Sequence, residues 1–483
     1  MKSLFIVPRS SFTKNTHRDV LYGCWCKGSR IGGGSLPPLS LLFIVTLFKH
    51  ESYAVDLLDM VEENVSLKEI KKNILEYDIV FLLTSSITFN EDSDFLFELK
   101  QINNRLKTVI FGSHPTFMPN ESLSHEGVDF IIRWEPEFTC LELVKTLSSD
   151  RGHNLAKIKG LGFKENGCLR INNDQVRIDN FNTLPIPDRS IYSKDCKYVN
   201  PIVKYYPYTT SITSRGCVGH CSFCTVPSMM GNKVRFWSVD KVIEEIEYLL
   251  SMGYKEIYYR DETFTISKKR NAEVYQRIIK KSLSFSWLCN VRVNTVDRED
   301  LFFMKKAGCR VIKVGVESGS QEILDKSKKN IQLADTERLF KWCKQIGIDT
   351  HAHLMFGMPG ETRETIRQTI TFIKKIKPTT IDIGICTPYP GSELFDMVSK
   401  DYAKIRDENF IDLSNLHTEA KYNQLYTKLS SKEIEESINR AYREFYFRVP
   451  YVLTMLFKQR SLSEVFRLCR SGTKVLKFSF FNK

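Results

Sequence analysis

Residues Ser214–Pro227 read SRGCVGHCSFCTVP, which spaces Cys217, Cys221 and Cys224 as Cys-x3-Cys-x2-Cys. Three thiolates this close point to a metal centre, yet they fall one ligand short of closing a tetrahedral site. The residues leave three readings open. His220, inside the triplet, can complete a zinc site. Cys221 and Cys224 can form a redox pair, which leaves Cys217 unexplained. Alternatively, three thiolates hold a four-iron cluster in which one iron keeps an open position for a small-molecule ligand.

The stretch follows a strand-like run, TTSITS, that opens an alternation of apolar runs and helical patterns. EIYYRDE, SWLCNVR, VIKVGVES, DTHAHLMFG and TIDIGICTP continue it, and SVDKVIEEIEYLLSM, with Ser238 as N-cap, is one of the intervening helices. Six such units fall short of an eight-unit barrel, so an open, partial (β/α)6 TIM-like barrel is expected over residues 208–410. Upstream, strands are expected at Ser3–Val7, Ala54–Met60, Asp78–Ser86, Lys107–Ser113 and Val128–Trp134, with helical patterns between. Near-continuous apolar strands alternating with helices predict a Rossmann-like, doubly wound parallel sheet over residues 1–150. Its strand ends, VPRSS, LLTSS, FGSHPT and IIRWEPE, mark it as a binding domain. Residues 151–207, with the prolines of LPIPDR and NPIVKYYP, read as a linker, and residues 411–483 read as helical. The class is α/β throughout, with that helical end.

Composition is that of a globular chain: 483 residues, 42% hydrophobic and 26% charged, with net charge +13. From Ala441 to Lys483 nine Lys or Arg face two Glu. This basic end reads first as a solvated helical face that caps the open barrel. Peripheral contact with a membrane surface, favouring a lipid-like substrate, is the second reading. The chain shows no aromatic-interleaved basic motif of the kind RNA-binding modules use, so no nucleic-acid partner is expected. The 13 cysteines do not form a disulfide framework and no signal peptide opens the chain, which predicts a cytoplasmic location. LSLLFIVTLF, Leu39–Phe48, is too short to span a bilayer and predicts a buried helix. Cys24 and Cys26, in the glycine-rich GCWCKGSRIGGG, read as inert loop cysteines.

With these residues in hand, the chain resembles the radical S-adenosylmethionine (SAM) enzymes. The cysteine triplet with Phe223 before its last member looks like that family's signature. YYRDETFT (258–265), KVGVESGSQEIL (313–324), FGMPGET (356–362) and TPYPGSEL (387–394) resemble its later strand-end motifs, in order. The resemblance implies a [4Fe-4S] cluster on Cys217, Cys221 and Cys224, SAM bound at the free iron, and a 5′-deoxyadenosyl radical formed when one electron enters. It further implies Phe223 beside the adenine and Asp261 or Glu262 at the SAM amino group. Arg292, Glu317 and Ser318 become candidate SAM contacts, with Gly357 and Gly360 allowing close backbone approach. A one-electron donor such as flavodoxin or ferredoxin follows.

The N-terminal block resembles the cobalamin-binding subclass through Leu36–Asp59, Phe111–Leu123 and Val128–Leu143. The resemblance implies corrinoid contacts from Thr84, Ser85, Ser86, Gly112, Ser113, His114, Arg133 and Glu135. No Asp-x-His-x-x-Gly occurs, so that motif supplies no histidine to the cobalt. Gly112-Ser113 and Arg133-Trp134-Glu135-Pro136-Glu137 depart from the subclass, placing Ser, Trp and Pro at glycine positions and predicting a narrower pocket. The leading expectation is a cobalamin-dependent methyltransferase acting on an unactivated carbon of a small-molecule or lipid-like substrate. A cyclase or oxidoreductase without methyl transfer is the alternative, and a non-catalytic sensor is disfavoured by the intact motifs.

Overall fold

The computed structural model describes residues 1–10, 35–149, 154–192, 196–402, 423, 425–457 and 462–481. Cys24 and Cys26 lie outside the described residues. Strands β1 (Lys2–Val7), β2 (Ala54–Asp59), β3 (Ile79–Thr84), β4 (Lys107–Gly112) and β5 (Phe130–Ile132) pair in parallel in the order β2-β1-β3-β4-β5. This is a doubly wound order. Alternation along each strand serves both faces: Phe5 and Val7 pack in one core, Leu4 and Ile6 in the other.

The stretch expected to be a linker does more. Its strands β6 (Leu161–Glu165) and β7 (Cys168–Ile171) add to the same sheet as an antiparallel hairpin beside β5. Leu161 and Phe163 enter the core, and Gly162 admits the Ile131 side chain where a Cβ would lie 2.6 Å from it. Further along, Arg189 of LPIPDR is buried against Glu245 at 2.8 Å and donates to the Thr210 carbonyl, pinning this segment beneath the barrel.

The second sheet begins with β8 (Tyr208–Ser211). A two-residue ladder, β9 (Ser214–Arg215) with β10 (Arg235–Phe236), flanks the cysteine loop. Then β11 (Glu256–Tyr259), β12 (Ser286–Val291), β13 (Cys309–Glu317), β14 (Asp349–Phe356) and β15 (Thr380–Ile385) complete six parallel strands, ordered β15-β14-β13-β12-β11-β8. The open barrel edge at β15 is closed by side chains. On the helix Ser431–Tyr446, Tyr442 Oη accepts the Ile383 N–H at 3.1 Å and Tyr446 Oη accepts that of Ile381 at 2.9 Å. Tyr446 Oη also donates to the Ile381 carbonyl.

The helix Leu39–His50 is apolar all round because both sides are covered. Leu41, Ile44 and Val45 pack on the first sheet, while Leu39 and Phe43 join the barrel core. Beside it, a buried ion cluster joins the two sheets. Arg215 donates to Glu135 (3.1 Å) and Glu137, and Arg235 donates to Glu135 at 2.7 Å. Arg215 also stacks over Phe43 and Phe181. Burial alone would raise the Glu135 carboxyl, but Arg215 and Arg235 outweigh it and hold it below the usual carboxylate range.

Glu135→Ala leaves Arg235 buried without a carboxylate and Arg215 with Glu137 alone, and is expected to cost about 3–5 kcal/mol. Lys145→Ala, which breaks an exposed pair with Glu51, is expected to cost less than about 1 kcal/mol. Denaturant midpoints of the two variants check the contrast.

Candidate functional site

The cysteine loop leaves β9 through Gly216, whose φ of +102° and approach to the Lys233 carbonyl exclude a side chain. The Cys217 N–H bonds the Gly231 carbonyl at 3.2 Å, and that of Cys224 bonds the Cys221 carbonyl at 3.0 Å. Two distant motifs stitch the loop from the other side. Ser222 N donates to Ser327 O at 3.0 Å, after the Lys313–Leu324 motif, and Leu394 N of the last motif donates to Ser222 O at 2.8 Å. All three cysteines line one cavity of about 2560 Å³ running through the barrel lumen. Their sulfurs do not all lie within 4.8 Å of one another. A single tetrahedral zinc ion would hold them at about 3.8 Å. The wider spacing suits a multi-iron cluster, and burial pushes the Cys217 thiol up, so the ligand proton leaves as metal enters.

The barrel strands set which neighbours face this loop. Tyr258, Arg260 and Glu262 alternate into the lumen, as do Lys313, Gly315 and Glu317, and Asn290 with Arg292. Arg292 Nη1 lies 3.9 Å from Cys221 Sγ, and Nη2 bonds the Lys329 carbonyl. Glu317 sits at a register shift with φ +60°, which curls its carboxylate over Gly315 onto Lys329 Nζ at 2.6 Å. Burial pulls the Lys329 amine down, but Glu317 and the nearby Cys221 sulfur more than offset it and leave it raised. Phe223 lines the cavity and packs on Ile323, Met358 and Leu394.

Four expected SAM residues lie elsewhere. Asp261 is buried on the opposite register from Glu262, and it accepts from Thr213 N (3.0 Å), Thr213 Oγ1 (2.8 Å) and Ser214 Oγ. It therefore shapes the turn into the cysteine loop. Ser318 is buried against Thr369 Oγ1 at 3.2 Å, behind the sheet. Gly357 and Gly360, with φ +77° and +76°, approach Asn423 and Lys326, so their freedom serves the chain's own turn. Glu361 ties that turn, accepting the Gly357 and Met358 N–H groups.

At the carboxyl ends of β3 and β4, Thr84, Ser85, Ser86, Ser113 and His114 are buried together. Thr84 donates to Asp92 at 2.7 Å, Ser85 lies 3.4 Å from Thr88, and Ser86 lies 3.2 Å from His114 Nδ1. Burial lowers the His114 imidazole to about 3, and its buried Nε2 has no hydrogen bond. Gly112, with φ +121°, makes the turn before it. Trp134 occupies a left-handed conformation, φ +68°, that costs a non-glycine residue about 1–2 kcal/mol, and its buried Nε1 is also unbonded. Orphaned polar atoms at these strand ends fit a polar, hydrogen-bonding cofactor. Two expected contacts are committed otherwise: Arg133 pairs with Asp174 at 2.6 Å, and Glu135 belongs to the ion cluster. Between the two sheets, Phe117 lies where a Cβ on Gly391 would meet its ring at 2.4 Å, so the first sheet abuts the last barrel motif.

Sequence reasoning missed Tyr258, Arg260, Lys313, Lys329, His351 and His353, all of which line the cavity. Strand alternation fixed from Glu262 or Glu317 signals the strand residues; Lys329 follows a loop and has no such signal.

Two family models match the chain: the radical SAM superfamily over residues 211–373 and the B12 binding domain over residues 32–144. An uncharacterized methyltransferase of Pyrococcus horikoshii is 31% identical over 433 residues, covering 89% of this chain and 92% of that one. An anaerobic magnesium-protoporphyrin IX monomethyl ester cyclase of Rubrivivax gelatinosus is 27% identical over 383 residues, covering 75% of this chain and 66% of that one. The cobalamin-dependent SAM radical enzyme OxsB, solved with aqua-cobalamin and SAM bound, superposes with a TM-score of 0.72 at 17% identity, covering 99% of this chain and 71% of that one.

Burial raises the Glu361 carboxyl to about 8, so it is protonated in the folded chain where an unfolded Glu ionises near pH 4.3. Between those values the unfolded state binds fewer protons, and this group makes stability fall as pH rises from about 4 to about 8. Glu361→Gln is expected to flatten that slope in melts across the range.

Proposed function

We propose that this chain, which belongs to the radical SAM superfamily and carries a B12 binding domain, is a cobalamin-dependent methyltransferase acting on an unactivated carbon. The supporting observation is the cysteine loop itself, wedged between the lumen of one sheet and the strand ends of the other. Bound there, a [4Fe-4S] cluster supplies the electron that cleaves SAM, and cobalamin supplies the methyl carrier. Cys217, Cys221 and Cys224 would ligate the iron. Glu262 and Arg292, beside them in the lumen, would hold the amino and carboxylate groups of SAM, and the Glu317–Lys329 pair would meet its ribose. Phe223 offers its ring to the adenine. Asp261 acts one step back, fixing Thr213 and Ser214 so that the loop is set before cofactors arrive. Ser85, Ser86 and the neutral His114 would contact the corrinoid, and Glu135 holds the two sheets in register around it.

The division of labour follows the sheets: a cobalamin unit to Ile171, a radical barrel from Tyr208 to Ile385, and C-terminal helices that wall one side of the lumen. A flavodoxin- or ferredoxin-like donor supplies electrons, and cysteine usage suits a reducing cytoplasm.

Among the described residues no helix is long and apolar enough to cross a membrane. The helix Val449–Phe457 nevertheless leaves Val449, Leu453 and Phe457 exposed, and the helix Leu462–Phe481 exposes Phe466, Phe480, Lys474 and Lys477. Pro450, Tyr451, Met455 and Leu476 of the same helices line the cavity. This arrangement supports peripheral contact with an anionic lipid surface and a lipid-like substrate.

Anaerobically reconstituted protein with cobalamin, SAM and a reductant is expected to release both 5′-deoxyadenosine and S-adenosylhomocysteine, measured by mass spectrometry. Cys221→Ala abolishes both. Glu262→Gln keeps its iron but loses roughly 10-fold or more of the deoxyadenosine rate, the cost of one charge-assisted bond. Deoxyadenosine without homocysteine overturns methyl transfer and leaves the cyclase-type outcome.

Co-sedimentation with anionic vesicles is expected for the intact chain and is lost in Phe457→Glu. Equal sedimentation of the two overturns the membrane contact.

A further inference from the structure

Two imidazoles and a carboxylate outside the cysteine loop face one another across the barrel lumen. His351 and His353 stand two apart on β14, so the strand period puts both on the lumen side, and Asp382 on β15 is the register partner of His353. One potential ligand atom from each lies within 4.8 Å of the other two, and among the described residues no other group of three or more His, Cys, Asp or Glu does so. His353 Nδ1 and Asp382 Oδ2 are 3.7 Å apart. That separation is too long for a hydrogen bond, which needs about 2.7–3.2 Å. It is close to the edge between two ligands of one ion bound at about 2.0–2.2 Å.

Outer partners hold these groups in place. His351 Nδ1 lies 2.7 Å from Thr380 Oγ1, and Tyr442 Oη donates to Asp382 Oδ1 at 3.3 Å. Such contacts orient imidazole and carboxylate ligands and are part of a working metal site. Lys313, the cation on this face, turns its Nζ to Tyr258 Oη. His351 is buried, His353 half-buried and Asp382 exposed, so the group opens toward the cavity.

We propose that His351, His353 and Asp382 form a second metal site, taking one divalent cation of the zinc class. Three protein ligands leave coordination positions open to the cavity, where an oxygen donor of the substrate binds and is held for reaction. None of the three ligands belongs to the cysteine loop; what the open positions hold rests on the proposed reaction in the same cavity, whereas metal binding itself does not.

The test uses the reconstituted holoenzyme, whose cysteines are already loaded with iron. It is exposed to Zn²⁺, desalted, and its zinc and iron are counted by mass spectrometry. About one zinc per chain is expected to remain. His353→Ala and Asp382→Asn are each expected to weaken zinc retention at least ~10-fold while iron stays constant. Asp382 is exposed, so its isosteric variant guards against misfolding. X-ray absorption at the zinc edge is expected to show imidazole and oxygen ligands without sulfur. Zinc absent from the intact protein, zinc held equally by both variants, or sulfur in the zinc shell overturns the proposal.

Discussion

Everything at the centre of this molecule depends on four charges taken out of water together. Glu135 and Glu137 arrive at the end of β5, while Arg215 and Arg235 arrive on the short ladder beside the cysteine loop. Each charge alone would be costly to bury, so the interface is stable only when the two sheets meet in one register. Arg215 is separated from Cys217 by Gly216 alone. The electrostatic requirement that fixes the sheets therefore also fixes where the first cysteine stands relative to β4 and β5. The aromatic faces of Phe43 and Phe181 over Arg215 add a further directional constraint.

The order of elements was legible in the sequence because it rests on periodicity. The parallel strands of both sheets, the apolar Leu39–His50 helix and the cysteine loop at a strand end stand where apolar alternation and spacing put them, whereas the antiparallel β6–β7 hairpin does not. Side-chain direction was less legible. Asp261 and Glu262 are neighbours in one motif, and only the register counted from Tyr258 separates the residue under the loop from the one in the lumen. Glu317 and Ser318 divide in the same way at the bulge on β13. Gly357 and Gly360 show a different limit, since a glycine is required equally by a ligand and by the chain's own turn. Glu135 shows a third: its arginine partners lie 80 and 100 residues away, at a distance no local pattern reports.

That polar side chains reach into the lumen also follows from the strands. A complete barrel fills its interior with branched apolar layers, whereas six strands leave space that side chains do not fill. Tyr258, Lys313, His351 and His353 reach into that space, and the outer faces of the same strands carry the apolar core with Ile312, Val314 and Ala352. One alternation thus divides stability from chemistry residue by residue. On the first sheet, Trp134 spends conformational energy to stand in a glycine's place, and its ring closes on Phe117 at 5.8 Å.

Tyr442 and Tyr446, stacked one helical turn apart with ring centroids 5.9 Å apart, supply hydroxyls to Ile381 and Ile383 on β15. An unguarded edge strand is a template for another chain, and a helix cannot normally saturate it because its own backbone is already bonded. Here two phenols imitate the missing strand at matching intervals. The edge groups of Ile381 and Ile383 are thereby satisfied without closing the barrel. The helix that holds this edge therefore also walls the cavity, since Tyr442 and Tyr446 line it, so one pair of phenols serves both the sheet and the space beside it.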